Sequence, residues 1–240
     1  MEFDIDFALV RDIVAREGVQ ARTEIAALGP LPAYQRSLQR HDVRLADAGD
    51  ANTLACKAGC SWCCHFSVDV RPVEVFNILD YLQQAFTVRE QQRLRADIEA
   101  NSQVLGRLDE EQRMLHNIKC PFLAEGRCSI YAARPQTCRN YHATSAAGCE
   151  RSFEEPDNFD IAPEYAPLVY QSGAAHVDAF CQAMQDAGYD IAAYELNAAL
   201  AEALAQPIGT QQRFSAKLPA FAGIQGTEAP FEFIDLNETE

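Results

Sequence analysis

Residues 56–66 read CKAGCSWCCHF and place four of the chain's nine cysteines within nine consecutive positions: Cys56, Cys60, Cys63 and Cys64. The stretch has neither the helical period nor the alternation of a strand, so we predict a loop. Thiolate sulfur binds zinc and iron–sulfur clusters well, and short spacers between cysteines let a loop fold back onto one ion. These four cysteines therefore predict a metal site.

Cys63 and Cys64 are neighbours in the chain, which limits how they can share a metal. Successive side chains on an extended backbone point to opposite sides. We therefore expect the two cysteines to serve different metals, or one to bind metal while the other packs. The alternative, in which both reach one ion, requires a strained turn.

A second cysteine-rich stretch spans residues 120–149 and contains two prolines and two glycines. This composition predicts loops with at most a short helical turn. Its cysteines are Cys120, Cys128, Cys138 and Cys149. Together the two stretches could supply two four-sulfur sites, or one cluster with further sulfurs in reserve, and the spacing leaves both arrangements open.

Basic side chains accumulate beside the second stretch. Residues 119–142 contain four basic side chains and a single acidic one, Glu125. The basic residues are Lys119, Arg127, Arg134 and Arg139. Cations near thiols favour the thiolate and offset the negative charge of a multi-thiolate site, although ordinary surface charge gives the same pattern.

Helical patterns surround both cysteine stretches. An apolar stripe that starts at Phe3 predicts an N-terminal helix ending near Gly18 or Gly29, and a second helix is predicted over residues 34–48. Pro72 suits the first turn of a third helix. Thr87 with an acid three residues later forms a capping box, which predicts a fourth helix running toward residue 108 or 115.

The third and fourth helices form a hairpin between the two cysteine loops. Residues 150–168 are predicted to be irregular, and an Ala-rich helical region is predicted over residues 174–205, broken at Gly188, with Asp190 as the N-cap of its second half. From Glu228 onward we expect an acidic tail that is frayed or lightly docked.

The predicted fold is mainly α: a helical domain with two irregular cysteine-rich metal-binding loops joined by a helical hairpin. We divide the chain into N-terminal helices over residues 1–50, a cysteine-cluster region over 51–149, and a C-terminal helical region with its acidic tail over 150–240. We expect the three segments to pack as one compact unit.

Charge and hydropathy exclude several classes of function. The net charge of −15 disfavours binding to a nucleic acid backbone, and no apolar stretch approaches the roughly 20 residues of a membrane-spanning helix. The N-terminus carries acids where a secretory signal carries bases, so we expect a cytoplasmic protein. In that reducing compartment, clustered cysteines serve as ligands or reactive thiols more often than as disulfides.

The stretch CKAGCSWCC followed by CPFLAEGRCSIYAARPQTCRNY resembles the YkgJ-family cysteine cluster proteins, whose shared segment is described as zinc- or iron-chelating. The resemblance covers roughly residues 50–145, and the two motifs together are highly specific. It implies metal binding by Cys56, Cys60, Cys63, Cys64, Cys120, Cys128 and Cys138. Cys149 lies beyond the matching motif, and the family implies neither a substrate nor a reaction.

Three further residues have two interpretations each, and a fourth has one. His65 and His142 lie close to cysteines in the sequence and could complete a site, but either could equally be solvated or locally bonded. Trp62 could shield a cluster from water or serve as a packing anchor. Cys181 lies in a helical stretch far from the other cysteines, so we expect a core residue.

We rank an iron–sulfur cluster first and zinc second as the cofactor. A proline follows Cys120, as it follows a ligand cysteine in ferredoxins. Cysteine-rich loops with this spacing also bind structural zinc. The only partner that the sequence predicts is the metal ion.

Two other classes of function use the same cysteines. The first three cysteines with Trp62 resemble the cluster motif of radical S-adenosylmethionine enzymes, and the four-cysteine segment is similar to flagellin lysine methylases. Against the radical enzyme, that fold needs strand–helix units after the motif, whereas helices are predicted there. A thiol-based redox or metal sensor, in which oxidation releases the metal, is the third possibility.

Overall fold

The computed structural model describes residues 4–57, 59–161, 164–228 and 231–233. In these residues the chain is mainly helical, which confirms the predicted class, and each β-strand has only two residues. The α-helices are α1 (Phe7–Leu28), α2 (Pro30–Ala46), α3 (Pro72–Ala85), α4 (Val88–Leu105), α5 (Glu110–Met114), α6 (Gln136–Asn140), α7 (Ala146–Glu154), α8 (Pro167–Asp186), α9 (Leu196–Ala205) and α10 (Pro207–Ser215). The strands are β1 (Asp69–Val70), β2 (Leu123–Ala124), β3 (Arg127–Cys128) and β4 (Tyr194–Glu195).

Helices α1, α2 and α8 pack against one another and form a three-helix scaffold. The carboxylate of Asp6 accepts hydrogen bonds from the first free N–H groups of α1, which starts the helix after that residue. The helix passes through Gly18 and ends before Gly29, whose φ of 84° lies in the left-handed region. Helix α2 starts at once at Pro30, earlier than predicted, because proline fits a first helical turn.

Helices α3, α4 and α9 surround the main hydrophobic core. Val75, Ile78, Ile98 and Leu200 are all fully buried there. The predicted capping box starts α4, since Thr87 and Glu90 bond each other's backbone N–H groups. The hairpin of α3 and α4 thus forms as the sequence predicts, although its second helix ends at Leu105.

The break after α8 is wider than predicted, and Asp190 is not the N-cap of the helix that follows. Strand β4 occupies part of this segment and pairs antiparallel with β1, so α9 begins only after Glu195. The Glu195 carboxylate caps α9. Asp190 instead accepts hydrogen bonds from the Tyr194 hydroxyl and the Ala220 N–H, and so holds the following loop.

Buried polar groups hold the three-helix scaffold together. The Arg44 Nε donates to His176 Nδ1 (3.2 Å), so His176 donates through Nε2 to Ser37 Oγ (2.9 Å). The Ser37 hydroxyl in turn donates to Glu17 Oε1 (2.8 Å), which also pairs with Arg40 (2.7 Å). The imidazole gives a proton to the serine rather than taking one, and the trio is fully buried, so this Ser–His–Glu arrangement is structural.

Part of the C-terminal tail docks on the scaffold. Asp178 on α8 accepts hydrogen bonds from the N–H groups of Glu232 and Phe233, both 2.7 Å long. Phe233 packs against Val10 and Ile13 of α1. Of the predicted tail, residues 229–230 and 234–240 lie outside the described residues. In the described part of the chain, no helix is both long and apolar enough to span a membrane.

Candidate metal centre

The first cysteine stretch is irregular, as predicted, and hydrogen bonds hold it to the second stretch. Ala55 donates its N–H to the Ala143 carbonyl (2.9 Å), and the Ala143 N–H donates back to Cys56 Sγ (3.4 Å). A tight turn follows, in which the Cys60 N–H bonds the Lys57 carbonyl and Gly59 takes a φ of 93°. Cys56 and Cys60 are thus brought close together.

Cys63 and Cys64 lie in a 3-10 turn, Trp62–His65, and not on extended backbone. The premise of extended backbone therefore does not apply here, because a 3-10 turn curls the backbone where a strand would alternate its side chains. How the pair is shared between metals stays a prediction.

The second stretch contains more regular structure than the loops predicted for it. Strands β2 and β3 form a hairpin with Leu123 opposite Cys128. Its two turn residues, Glu125 (φ 51°) and Gly126 (φ 74°), both have positive φ, which suits a two-residue hairpin. Cys120 lies just before this hairpin, and its N–H donates to the Cys64 carbonyl (2.8 Å). The two cysteine stretches therefore run side by side.

Cys138 lies on the short helix α6, which is anchored to helices α2 and α3. The backbone N–H of Gln136 donates to the buried carboxylate of Glu74 on α3 (2.7 Å). The Arg139 guanidinium pairs with Asp42 on α2 (2.7 Å) and is almost fully buried. These contacts fix the backbone on both sides of Cys138.

Asn140 at the end of α6 makes a third link to the scaffold. Its Oδ1 accepts from Nε2 of the fully buried His41 (2.7 Å). A Cβ at position 173 of α8 would overlap this oxygen, so Gly173 makes room for the contact. Burial, which is the main cause, lowers the pKa of His41 to about 4, so the ring is neutral at pH 7.

Cys149 lies on helix α7, where only a loop or short turn was predicted. Ser145 Oγ accepts from the Gly148 N–H (3.1 Å) and caps the helix. Phe153 on the same helix packs between Trp62 (ring centroids 5.2 Å apart) and His65 (4.9 Å). Trp62 is thus a packing anchor, and it holds α7 against the 3-10 turn.

The thiols of the first stretch interact with Cys149. Burial, and then the charges of Cys56, Cys60 and Cys63, raise the pKa of the Cys149 thiol to about 11. Partial burial raises the pKa of Cys56 as well, and the charges of Cys60 and Cys63 add to that rise. Like charges affect one another in this way only when they are close.

The thiols of the second stretch interact with Cys63. Burial, and then the charges of Cys120, Cys63 and Cys128, raise the pKa of Cys138 well above its ordinary value. Burial raises the pKa of Cys120 to about 12, with a contribution from Cys128 and Cys63. A hydrogen bond with Cys64, followed by burial, raises the pKa of Cys63 itself. Cys63 therefore interacts with thiols of both stretches.

A backbone N–H group and basic side chains next to the sulfurs favour the thiolate form. The Cys56 sulfur accepts a backbone N–H bond from Ala143 (3.4 Å). The charge of Arg134 lowers the pKa of Cys56, Cys63 and Cys128, against the larger effect of burial or hydrogen bonding. Of the four predicted cations, Arg134 thus acts on thiols of both stretches.

The two histidines differ in their surroundings. The Nδ1 of His65 lies 3.2 Å from the Ser61 carbonyl, so Nδ1 donates this hydrogen bond and Nε2 takes no part in it. The Nδ1 of His142 is buried and finds no hydrogen-bond partner among the described residues. Burial lowers the pKa of His142, with the Arg134 charge as the second cause. Cys181 is buried in the core on α8, as predicted.

The donor set fits a thiolate-bound metal, although the sulfurs are not gathered around one point. All nine cysteines are free thiols. In the ranges that the structure describes, no three His, Cys, Asp or Glu side chains are arranged to hold an ion. The Ala143 N–H and Arg134 supply what thiolate ligands need around them, so the remaining requirement is that the sulfurs move closer together.

Sequence reasoning missed the residues that hold the cysteine stretches in place. Glu74, Asn140 and Gly173 act through contacts with residues far along the chain. Only the Glu125–Gly126 pair carried a local signal, since Gly following a polar residue between short β-forming runs is typical of a hairpin turn.

Comparison with known proteins identifies the family of this region. Residues 55–165, just under half of the chain, match the model of the CxxCxxCC family, described as "Putative zinc- or iron-chelating domain". The match includes Cys149 as well as the seven cysteines of the resembling motif. No curated protein and no solved structure matches the chain. Residues 55–165 thus match the zinc- or iron-chelating domain of the YkgJ-like family that the two cysteine motifs resemble.

Proposed function

We propose that the chain binds metal through the thiolates of the eight cysteines in its two stretches. These are Cys56, Cys60, Cys63, Cys64, Cys120, Cys128, Cys138 and Cys149. The observation that carries the proposal is that the two stretches are hydrogen-bonded side by side, from Ala55 to Ala143 and from Cys120 to Cys64. This arrangement supports a metal centre to which both stretches contribute cysteines.

The surroundings of the sulfurs support ligation rather than inert packing. A buried thiol without N–H bonds or cations stays protonated, because burial disfavours the charged form. Here the Ala143 N–H bonds Cys56 Sγ (3.4 Å), and the charge of Arg134 favours the thiolates of Cys56, Cys63 and Cys128. Metal binding then draws the sulfurs together and displaces their protons, so metal affinity and local folding are linked.

An iron–sulfur cluster is our first choice of cofactor and zinc our second. The Cys120–Pro121 pair and the nearby cations favour a cluster, whereas the two-residue spacer between Cys60 and Cys63 also suits zinc. A cluster would supply one-electron redox chemistry, and zinc would chiefly hold the loops. The protein would need a compartment that keeps thiols reduced, and we propose the cytoplasm.

The enzyme and sensor alternatives rest on the same cysteines. A radical S-adenosylmethionine enzyme needs repeated strand–helix units, but in the described residues the strands are two residues long and pair antiparallel. A redox or metal sensor would use the partly exposed thiols, which oxidants reach first. We therefore keep metal binding as the proposed activity.

The decisive experiment is anaerobic purification followed by quantification of iron, zinc and acid-labile sulfide per chain, with the visible spectrum. We expect Cys60→Ser and Cys128→Ser to lose metal, while the core control Cys181→Ser retains it. A Cys60→Ser/Cys128→Ser variant with full metal content would refute the proposal. Finding zinc without sulfide would make zinc the proposed cofactor in place of the iron–sulfur cluster. Reductive cleavage of S-adenosylmethionine would favour the enzyme alternative.

A further inference from the structure

Three tyrosine rings form a line that starts beside the cysteine stretches and ends on helix α8. Tyr141 directly follows α6, and its ring centroid lies 6.1 Å from that of Tyr165. The ring of Tyr165 lies 5.3 Å from that of Tyr170, near the start of α8. At the other end, the Phe66 ring lies 6.0 Å from the Tyr141 ring. The two inner tyrosines thus each have an aromatic neighbour on either side.

The inner end of this line adjoins the cysteines of both stretches. Tyr141 lies between Cys138 and Ala143 in the chain, and the Ala143 N–H bonds Cys56 Sγ (3.4 Å). Phe66 directly follows the 3-10 turn of the first stretch. The backbone therefore brings sulfur-bearing residues of the first and the second stretch to the first ring of the line.

The outer end of the line has a proton acceptor and reaches solvent. The Tyr170 hydroxyl donates a hydrogen bond to the Glu232 carboxylate. Tyr170 is half-buried and Glu232 is exposed. Burial, and then the bond to Glu232, raises the pKa of Tyr170, so the phenol keeps its proton at pH 7. A phenol loses an electron more easily when a hydrogen-bonded base takes its proton, because the oxidised phenol is a strong acid.

Packing accounts for the ring distances, but it does not require hydroxyl groups. The chain has 13 phenylalanines and 8 tyrosines, yet all three rings between Phe66 and Glu232 are tyrosines. A phenol can give up one electron under conditions in which a phenylalanine ring cannot. We propose that Tyr141, Tyr165 and Tyr170 form an electron relay that carries oxidising equivalents from the cysteine stretches to the protein surface.

The relay repairs one-electron oxidation of a cysteine. A peroxyl radical takes the hydrogen atom of a thiol, which leaves a hydroperoxide and a thiyl radical. An electron from Tyr170 crosses the rings of Tyr165 and Tyr141 and reduces the thiyl radical to a thiolate, while the phenolic proton of Tyr170 passes to Glu232. A soluble thiolate then reduces the phenoxyl radical at the surface, and the proton returns from Glu232 to the phenol oxygen.

Trp62 provides a single entry point for a test in the full chain, purified anaerobically. It is the only tryptophan and begins the 3-10 turn that Phe66 follows. Azide radicals made by pulse radiolysis oxidise tryptophan in preference to tyrosine, and the indolyl and phenoxyl radicals absorb at different wavelengths. We expect the indolyl band to decay as the phenoxyl band grows, at a rate independent of protein concentration. Tyr165→Phe keeps the ring without the phenol and should lose most of this growth.

Variants at the outer end and a matched control complete the test. Tyr170→Phe and Glu232→Gln should lose most of the phenoxyl yield, since they remove the final electron donor and its proton acceptor. Tyr131→Phe should retain it, because this exposed tyrosine of the second stretch lies outside the line. Urea midpoints show whether each variant remains folded.

Three results would overturn the relay: no phenoxyl band in the wild-type chain, full growth of the band in Tyr165→Phe, or its loss in Tyr131→Phe. The relay goes beyond metal binding, and metal per chain is measured on the same samples. A chain that holds metal but shows no transfer would refute the relay alone, whereas transfer in a chain without metal would refute only the proposed function.

Discussion

The cysteine region, residues 55–66 and 118–154, and the three-helix scaffold of α1, α2 and α8 are built in opposite ways. The scaffold helices have 17 to 22 residues each and bury their polar groups as partnered networks. The regular elements of the cysteine region have two to nine residues, and most of its cysteines are half-buried. Packing therefore stabilises the scaffold, whereas the short elements and half-buried cysteines of the cysteine region provide less packing.

A small number of contacts connect these two regions. Asp42 and His41 on scaffold helix α2 hold Arg139 and Asn140 of α6, and Glu74 on the neighbouring helix α3 bonds the backbone beside Cys138. Burial and hydrogen bonding give the scaffold its order before any metal is present. We infer that the scaffold positions the cysteine region and that the metal completes its folding.

Metal removal should produce the largest difference between the two regions. Structural zinc contributes on the order of 10 kcal/mol to the folding of small domains, so chelation should abolish much of the amide-exchange protection in residues 55–66 and 118–149. Helix α8 should keep its protection, because it packs chiefly against α1 and α2. Hydrogen exchange with and without chelator measures this. Equal loss of protection in both regions would contradict the division.

Glu74→Gln should destabilise the link between the regions by about 3 kcal/mol. The two carboxylate oxygens accept from the N–H groups of Arg71 (2.7 Å) and Gln136 (2.7 Å), so either orientation of an amide places its NH2 against a donor. Urea unfolding measures the loss. Glu111→Gln on exposed α5 is the matched control and should change stability by less than about 0.5 kcal/mol. Similar values for both would remove Glu74 from this role.

The scaffold should lose stability in acid through His41. Burial lowers the folded-state pKa of His41 to about 4, below the unfolded value of about 6.5, so only the unfolded chain binds a proton between these values. Stability from this residue is complete above pH 6.5 and falls by about 2 kcal/mol on going from pH 7 to pH 5. His41→Gln should remove that part of the slope, whereas exposed His116→Gln should retain it. Parallel slopes in urea unfolding for all three proteins would exclude the effect.

The smallest expected effect compares two glycines in scaffold helices. Gly173→Ala places a Cβ against Asn140 Oδ1 and should cost about 1–2 kcal/mol, despite the better helix propensity of alanine. At Gly18 a Cβ would meet only the flexible Arg22 guanidinium, 3.3 Å away, so Gly18→Ala should stabilise by about 0.5–1 kcal/mol. Unfolding midpoints measure both. Stabilisation by both substitutions would show that the Asn140 side chain moves aside at little cost when a Cβ is added at position 173.

Local sequence signals predict the helices of this fold well. The capping box at Thr87, the proline at the start of α3 and the core position of Cys181 follow from short-range rules. The predicted start of α2 at residue 34 was wrong by four residues, because the breaker sequence ends one helix and the next begins at once at Pro30. The prediction that Asp190 is an N-cap was wrong, because strand pairing displaced the start of α9.

The cysteines themselves are visible in the sequence, but their arrangement is not. The contact of His41 with Asn140 joins residues 99 positions apart, and no local pattern predicts such a pair. The pairing of Arg139 with Asp42 spans a similar distance. Extended backbone is the simplest expectation for the adjacent Cys63 and Cys64, but a single 3-10 turn there changes where both thiols lie.

The position of Trp62 gives the cysteine region an optical property of its own. It is the only tryptophan in the chain and lies between Cys60 and Cys63, stacked near Phe153. Selectively excited tryptophan emission from the unlabelled protein therefore originates entirely in the cysteine region, while the scaffold makes no contribution. A coloured iron centre nearby would quench this emission by energy transfer, whereas zinc, which absorbs no visible light, would leave it bright. Comparing the emission before and after metal removal thus distinguishes the two metals.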